Sequence, residues 1–222
     1  KNTLLDSLAQ SKITYGRFEV RTIFPCDWGA RTEKSFPTNH ALHFAIPGGV
    51  DFRNRDFEGL IKSLCQIGDR EIGVKFVILG GGPDRGLLSD SINEHNLCKY
   101  FDFAPLSASG KVVYRTYFEY LARCHCILPL LPRRSSYERI KISSSFPLAL
   151  GFGMPVFLRQ GDCQMGNLPC IFYENYQSLF AFEITELESE LEASMIQCRN
   201  INSAMLEENA IEMNALLASI GL

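Results

Sequence analysis

Lys141, Ser143, Ser144 and Ser145 stand at the head of an apolar run that closes at Gly153-Met154-Pro155-Val156. One ammonium and three hydroxyls before a helix are groups that hold a phosphate, because a helix N-terminus presents unpaired N–H groups and the positive end of the dipole. The serines would serve equally as helix caps. Arg133, Arg134, Glu138 and Arg139 come just before. Arg134 adds charge beside the phosphate or lies in a solvated loop, and Glu138 is placed to accept from ribose hydroxyls.

Three further stretches have the composition of ligand loops. Gly48 and Gly49 follow an apolar run and precede Arg53 and Arg55. Glycine lets backbone approach a ligand, and a pair of arginines suits a diphosphate by forked hydrogen bonding. The alternative is a tight turn with two solvated arginines. Gly80-Gly81-Gly82-Pro83 follows a second apolar run. It is neither G-x-G-x-x-G nor G-x-x-x-x-G-K-[ST], which weakens NAD binding and P-loop hydrolysis. Gly81 and Gly82 either approach a ligand or turn the chain into a capped helix. Phe103 and Ala104 end a third run and either present backbone groups to the edge of a base or form a plain loop.

Catalytic groups are scarcer. The histidines are 40, 43, 95 and 125, and none sits in a nucleophile or metalloprotease motif. Cys124-His125-Cys126 alternates within an apolar run and has no second ligand pair at zinc spacing, so no metal site is assigned. Eight cysteines without a CxxC pair, in core-like segments of a 222-residue chain, read as reduced thiols of a cytoplasmic protein. Peripheral attachment to a membrane stays open. The net charge of −3 argues against a nucleic-acid partner, which needs a basic face. Apolar runs fall short of the roughly 18 residues of a transmembrane segment. The chain starts without Met, and the expectation is a fragment or processed form.

Elements must position these groups. Apolar strand-like runs fall at 42–46, 74–79, 100–103, 124–131, 154–158 and 170–173. Helical spacing falls at 56–67, 87–97, 114–123 and 137–152, with Pro147 requiring a break or a late start. The alternation predicts an α/β fold: a Rossmann-like open parallel sheet of about six strands with helices on both faces, plus C-terminal helices. The expected organisation is an adaptor over 1–40, a binding domain over 41–182, and over 183–222 C-terminal helices that pack on the domain or on a missing N-terminal domain, the stretch from Tyr176 onward reading as a pair of helices.

The order of elements and the stretch Ala149-Leu-Gly-Phe-Gly153-Met-Pro155-Val156 resemble the C-terminal, donor-binding domain of GT-B fold glycosyltransferases. The last piece is similar to the family's E-A-x-x-x-G-x-P-V. The resemblance implies a nucleoside diphosphate sugar as donor substrate with no cofactor, and a saccharide or other acceptor. It also implies hexose transfer, and an N-terminal acceptor-binding domain outside this chain. It assigns diphosphate neutralisation to Arg53, Arg55 and Lys141, phosphate donation to Ser144 and Ser145, and hydroxyl binding to Glu138. Many retaining members carry two glutamates seven residues apart; the second position is Leu148 here. A non-catalytic docking module, or an epimerase-like enzyme on a related sheet, are the other readings.

Overall fold

The computed structural model of the chain describes residues 41–68, 70–132, 144–162, 168–182 and 184–219. Arg134, Glu138, Lys141 and Ser143 lie outside the described residues. Six strands form one sheet: β1 (Leu42–Ile46), β2 (Val74–Ile78), β3 (Phe101–Phe103), β4 (Cys126–Ile127), β5 (Val156–Arg159) and β6 (Cys170–Tyr173). Their order is β3-β2-β1-β4-β5-β6, and each pairing is parallel. The expected α/β architecture is the observed one. The chain builds outward from β1 to β3, then crosses to β4 on the other side of β1. That reversal leaves a crevice outside the carboxyl ends of β1 and β4, where open sheets of this type hold ligands.

The helices follow from apolar spacing and from their ends. In α1 (Phe57–Cys65), Phe57, Leu60, Ile61 and Leu64 are all buried, and Asp56 caps the first turn by accepting from the Gly59 amide at 3.1 Å. Helices α2 (Arg85–Glu94) and α3 (Tyr114–Leu121) follow β2 and β3. Helix α4 (Ser145–Phe152) starts late enough to put Pro147 in its first turn, where a missing N–H breaks no helical bond. Gly153, with φ at 58°, ends α4 in the left-handed region, a conformation glycine adopts without penalty. Helices α5 (Tyr176–Phe180) and α6 (Ile184–Ser219) complete the chain.

Two hydrophobic clusters flank the sheet. One joins α1, α2 and α5 to Phe44, Phe76 and Phe157; the other joins α3 and α4 to Ala45, Ile127 and Val156. Helix α6 enters the first cluster through Leu187, Leu191 and Met195 and reaches the second through Cys198.

Two sequence expectations change. The strand expected over 124–131 pairs only at Cys126 and Ile127. Pro129 has no N–H to give a ladder, and Leu130 takes φ of 51°, which turns the chain out of the sheet. The pair of helices expected from Tyr176 onward is present but unequal: the short α5 and one continuous α6 of 36 residues. No glycine or proline falls between 184 and 219 to end it.

Candidate functional site

The carboxyl ends of the strands are stitched together by three arginines and a stack of glycines. On the β3 side, Arg85 of α2 donates to the Gly80 carbonyl through Nη1 and to the Ala104 carbonyl through Nη2 at 2.6 Å. Its guanidinium lies 5.0 Å from the Phe103 ring centroid. Gly80 in turn packs on β1: a Cβ there would overlap the Gly48 carbonyl oxygen. Gly48 has φ of 84°, and a Cβ on it would run into the Arg55 guanidinium. Arg55 donates through Nη1 to the Pro129 carbonyl beyond β4. The Asp56 amide then bonds Leu130 O at 2.9 Å, and Arg159 Nη2 bonds Leu131 O at 3.0 Å. Three successive carbonyls after β4 are thus each held by a group on β5 or on the chain leading into α1.

Arg55 is the sequence-expected cation that reaches the switch point between β1 and β4. Tyr117 of α3 lies in its field: burial pushes the phenol up to about 12, and the Arg55 charge pulls against that. Nothing in the sequence pattern marked Tyr117, because its aromatic neighbours made α3 read as core. Arg53 takes another course. It is 84% exposed and pairs with Asp51 at 3.1 Å, and its hydrogen bond draws the Asp51 carboxyl below the ordinary range. The two arginines therefore do not form one fork.

The glycines of the second loop have a structural occupation. A Cβ on Gly81 would overlap the Gly110 carbonyl, and one on Gly82, at φ 142°, would overlap Val50. Val50 N bonds Gly81 O at 2.7 Å, and Asp84 N bonds Val50 O at 3.2 Å. Close backbone approach is the use of these glycines, but here the partners are the β1 loop for Gly82 and the Gly110 turn for Gly81. The helix that follows is not capped as expected, since the Asp84 carboxylate accepts from the Phe52 amide at 2.8 Å instead. Ala104 is committed as well, with its amide on Ile78 O at 3.0 Å and its carbonyl on Arg85. Phe103 serves as the face under Arg85. Any base contact from this loop therefore falls to residues after Ala104. Ser144 is exposed at the N-terminus of α4, whereas Ser145 is fully buried, so only the first faces solvent.

A buried ion network supports the β4 end. Arg159 is 5% exposed. It pairs with Asp56 and with Asp162, each at 3.4 Å, and Tyr176 donates to Asp56 at 3.0 Å. Burial, then the neighbouring Tyr173 and Asp56, holds the Tyr176 phenol far above its ordinary value. A concavity of about 220 Å³ between α1 and α5 opens beside this network, lined by Lys62, Gln66, Asn175 and Gln177 among others. It lies away from the glycine loops and is bridged by a Gln177–Gln66 hydrogen bond at 2.8 Å.

His43 and His125 meet at the opposite, amino end of the sheet. There the His43 amide donates to His125 Nδ1 at 2.8 Å, and the pair takes no part in the crevice. No group of His, Cys, Asp and Glu able to hold a metal occurs among the described residues. No described helix is long and apolar enough to cross a membrane.

The described cysteines are free thiols. Cys124, Cys126 and Cys198 are buried as expected, but Cys65 and Cys98 are exposed, because they lie on the solvent sides of α1 and of the turn after α2. Among the described cysteines, iodoacetamide at mild pH is expected to label Cys65 and Cys98 first, read by peptide mass spectrometry; equal labelling of Cys198 in the native protein would contradict this burial. Burial pushes the Cys198 thiol up to about 12 and the Cys170 thiol up to about 11, against an ordinary 9.0. Unfolding lets these protons go at lower pH than the folded state does. Their stabilisation is thus full below pH 9 and is lost as pH rises through 11 to 12, which alkaline denaturation curves would register.

No protein family and no curated protein matches the sequence. Solved structures do share the fold. HepE of Anabaena, solved with UDP, matches at a TM-score of 0.54 and 14% identity, covering 81% of this chain and 49% of HepE. The HepE structure with UDP and glucose matches at 0.51 and 15% identity over the same shares. The pneumococcal O-GlcNAc transferase GtfA, solved with UDP and GlcNAc, matches at 0.53 and 16% identity, covering 99% of this chain and 44% of GtfA. The chain thus has the fold of part of a GT-B glycosyltransferase and spans about half the length of these structures or less.

Proposed function

We propose that this chain binds the nucleoside diphosphate of a sugar donor, as the donor half of a glycosyltransferase that moves a hexose to a saccharide or other acceptor. The observation that carries the reading is Arg55, held between Gly48 and Pro129 at the switch point of the sheet. A guanidinium there offsets the charge that builds on a diphosphate as it leaves, an electrostatic role that asks for no cofactor. Pro132 and Ser144 flank the stretch holding Arg134, Glu138, Lys141 and Ser143. The neighbours solved with UDP support the ligand class, and their greater length supports an acceptor domain outside this chain.

Thermal shift against UDP, GDP, ADP, CMP and NAD tests the reading, since a ligand of the folded state raises the melting temperature. One nucleoside diphosphate is expected to do so. Arg55→Ala is expected to lower its affinity by about tenfold or more, the size of a lost charge-assisted contact, with Arg55→Lys retaining part of it. An unchanged affinity would sink the assignment of Arg55. The docking-module reading draws on Leu148, which stands where many retaining members place a glutamate. Silence across the panel, with the missing half supplied, would favour it.

A further inference from the structure

We propose that Arg85 is a positioning residue that sets which nucleobase the crevice accepts. The inference rests on the nucleotide reading above and assigns a role to a residue that neither the glycine motif nor the charge pattern singled out. Arg85 joins the ends of β2 and β3 rather than the ladder between them. The β2–β3 ladder runs from Phe76↔Phe101 to Ile78↔Phe103. Arg85 grips the chain beyond its last rung, at Gly80 and Ala104. Its effect therefore falls on the loop that leaves β3, not on the strands.

That loop has few groups left for recognition. The Ala104 amide is spent on Ile78, and Pro105 has no N–H. The Pro105 carbonyl and the Leu106 amide are the next backbone acceptor and donor along the loop. An acceptor and a donor in fixed order discriminate between base edges, because a base with the opposite order leaves both groups unpaired. Their position is inherited from Ala104, whose amide is held by Ile78 and whose carbonyl is held by the Arg85 guanidinium. The grip is planar: two nitrogens meet two carbonyls while the guanidinium lies over Phe103 at 5.0 Å. Lysine cannot reproduce that geometry. No carboxylate pairs with Arg85 among its described contacts, so its charge is met there by carbonyl dipoles and the Phe103 ring.

Calorimetric titration of UDP, GDP, ADP and CDP into the wild-type chain and into Arg85→Met tests this, with circular dichroism melts in parallel. The wild type is expected to prefer one base. Arg85→Met is expected to bind that nucleotide about tenfold or more weakly and to lose most of the preference, so that the ratio between the best and the next base falls toward one. If Arg85→Met melts too low to titrate, Arg85→Lys gives the same comparison at full charge. A uniform loss for all four nucleotides with the ratio intact marks a merely structural arginine and overturns the inference. So does a wild type that binds nucleotides without preference. A wild type that binds none of them overturns the nucleotide reading and this inference with it.

Discussion

Arg159→Met is expected to lower the stability of the domain by about 3–5 kcal/mol, or roughly 10 °C in melting temperature for a domain of this size. The guanidinium is the only basic group in contact with both Asp56 and Asp162 among the described ion pairs. Removing it leaves two carboxylates with side-chain exposures of 26% and 9%, which cannot regain full hydration. Asp56 keeps its bonds to Gly59 and Tyr176, and Asp162 keeps the amide of residue 159 at 3.1 Å, so the cost is the lost opposite charge rather than a lost last partner. The loss also removes the donor to the buried Leu131 carbonyl after β4. Urea unfolding with an unchanged m value is the check. A shift below about 1 kcal/mol would mean that the network is no stronger than a surface ion pair. Asp162→Asn in the Arg159→Met background is expected to recover part of the loss, because it removes a largely buried negative charge that no longer faces a cation.

Gly80→Ala is the second large effect, at about 3 kcal/mol of destabilisation. The new methyl overlaps backbone, the Gly48 carbonyl, and backbone cannot swing aside as a flexible side chain can. The loops after β1 and β2 must part, and Arg85 and Arg55 sit on either side of the gap. Gly86→Ala is the control with the opposite sign. Gly86 lies in α2 with nothing within 4 Å of its added Cβ, so alanine gains helix propensity of about 0.5 kcal/mol or more. Melting curves of the two variants should move in opposite directions. Equal and small shifts would show that the Gly80 loop has room to relax.

How much of the site could be read in advance depended on the kind of contact involved. Arg55 was legible because a charged residue just before a helix, after a glycine turn, has a short range of places to go. Its neighbour Arg53 has the same type and nearly the same position, yet it turns to Asp51. The difference is which backbone is within reach, and no pattern encodes that. The glycines of 80–82 were visible as a place of close approach, but the approaching partners were the protein's own Gly48 and Val50 on one side and Gly110 on the other. Arg85 and Arg159 read as a helix-start arginine and a strand-end arginine. Their roles come from carbonyls 19 and 28 residues away in sequence. Tyr117 was hidden in an aromatic-rich helix whose orientation alone decides which ring lies in the field of Arg55.

By itself the sequence determined the six runs of strand, most of the helices and their parallel alternation. Strand and helix periods are local, and a chain with near-continuous apolar strands has one way to bury them: between two layers of helix. Only the tertiary structure decided the order β3-β2-β1-β4-β5-β6, and hence where the crevice falls. Only it decided which arginines stitch the strand ends together, because hydrogen bonds to distant carbonyls depend on how the strands are laid side by side. The single length of α6 was decided between the two levels: the sequence held nothing to stop it, and contact with both hydrophobic clusters gave it a surface to run along.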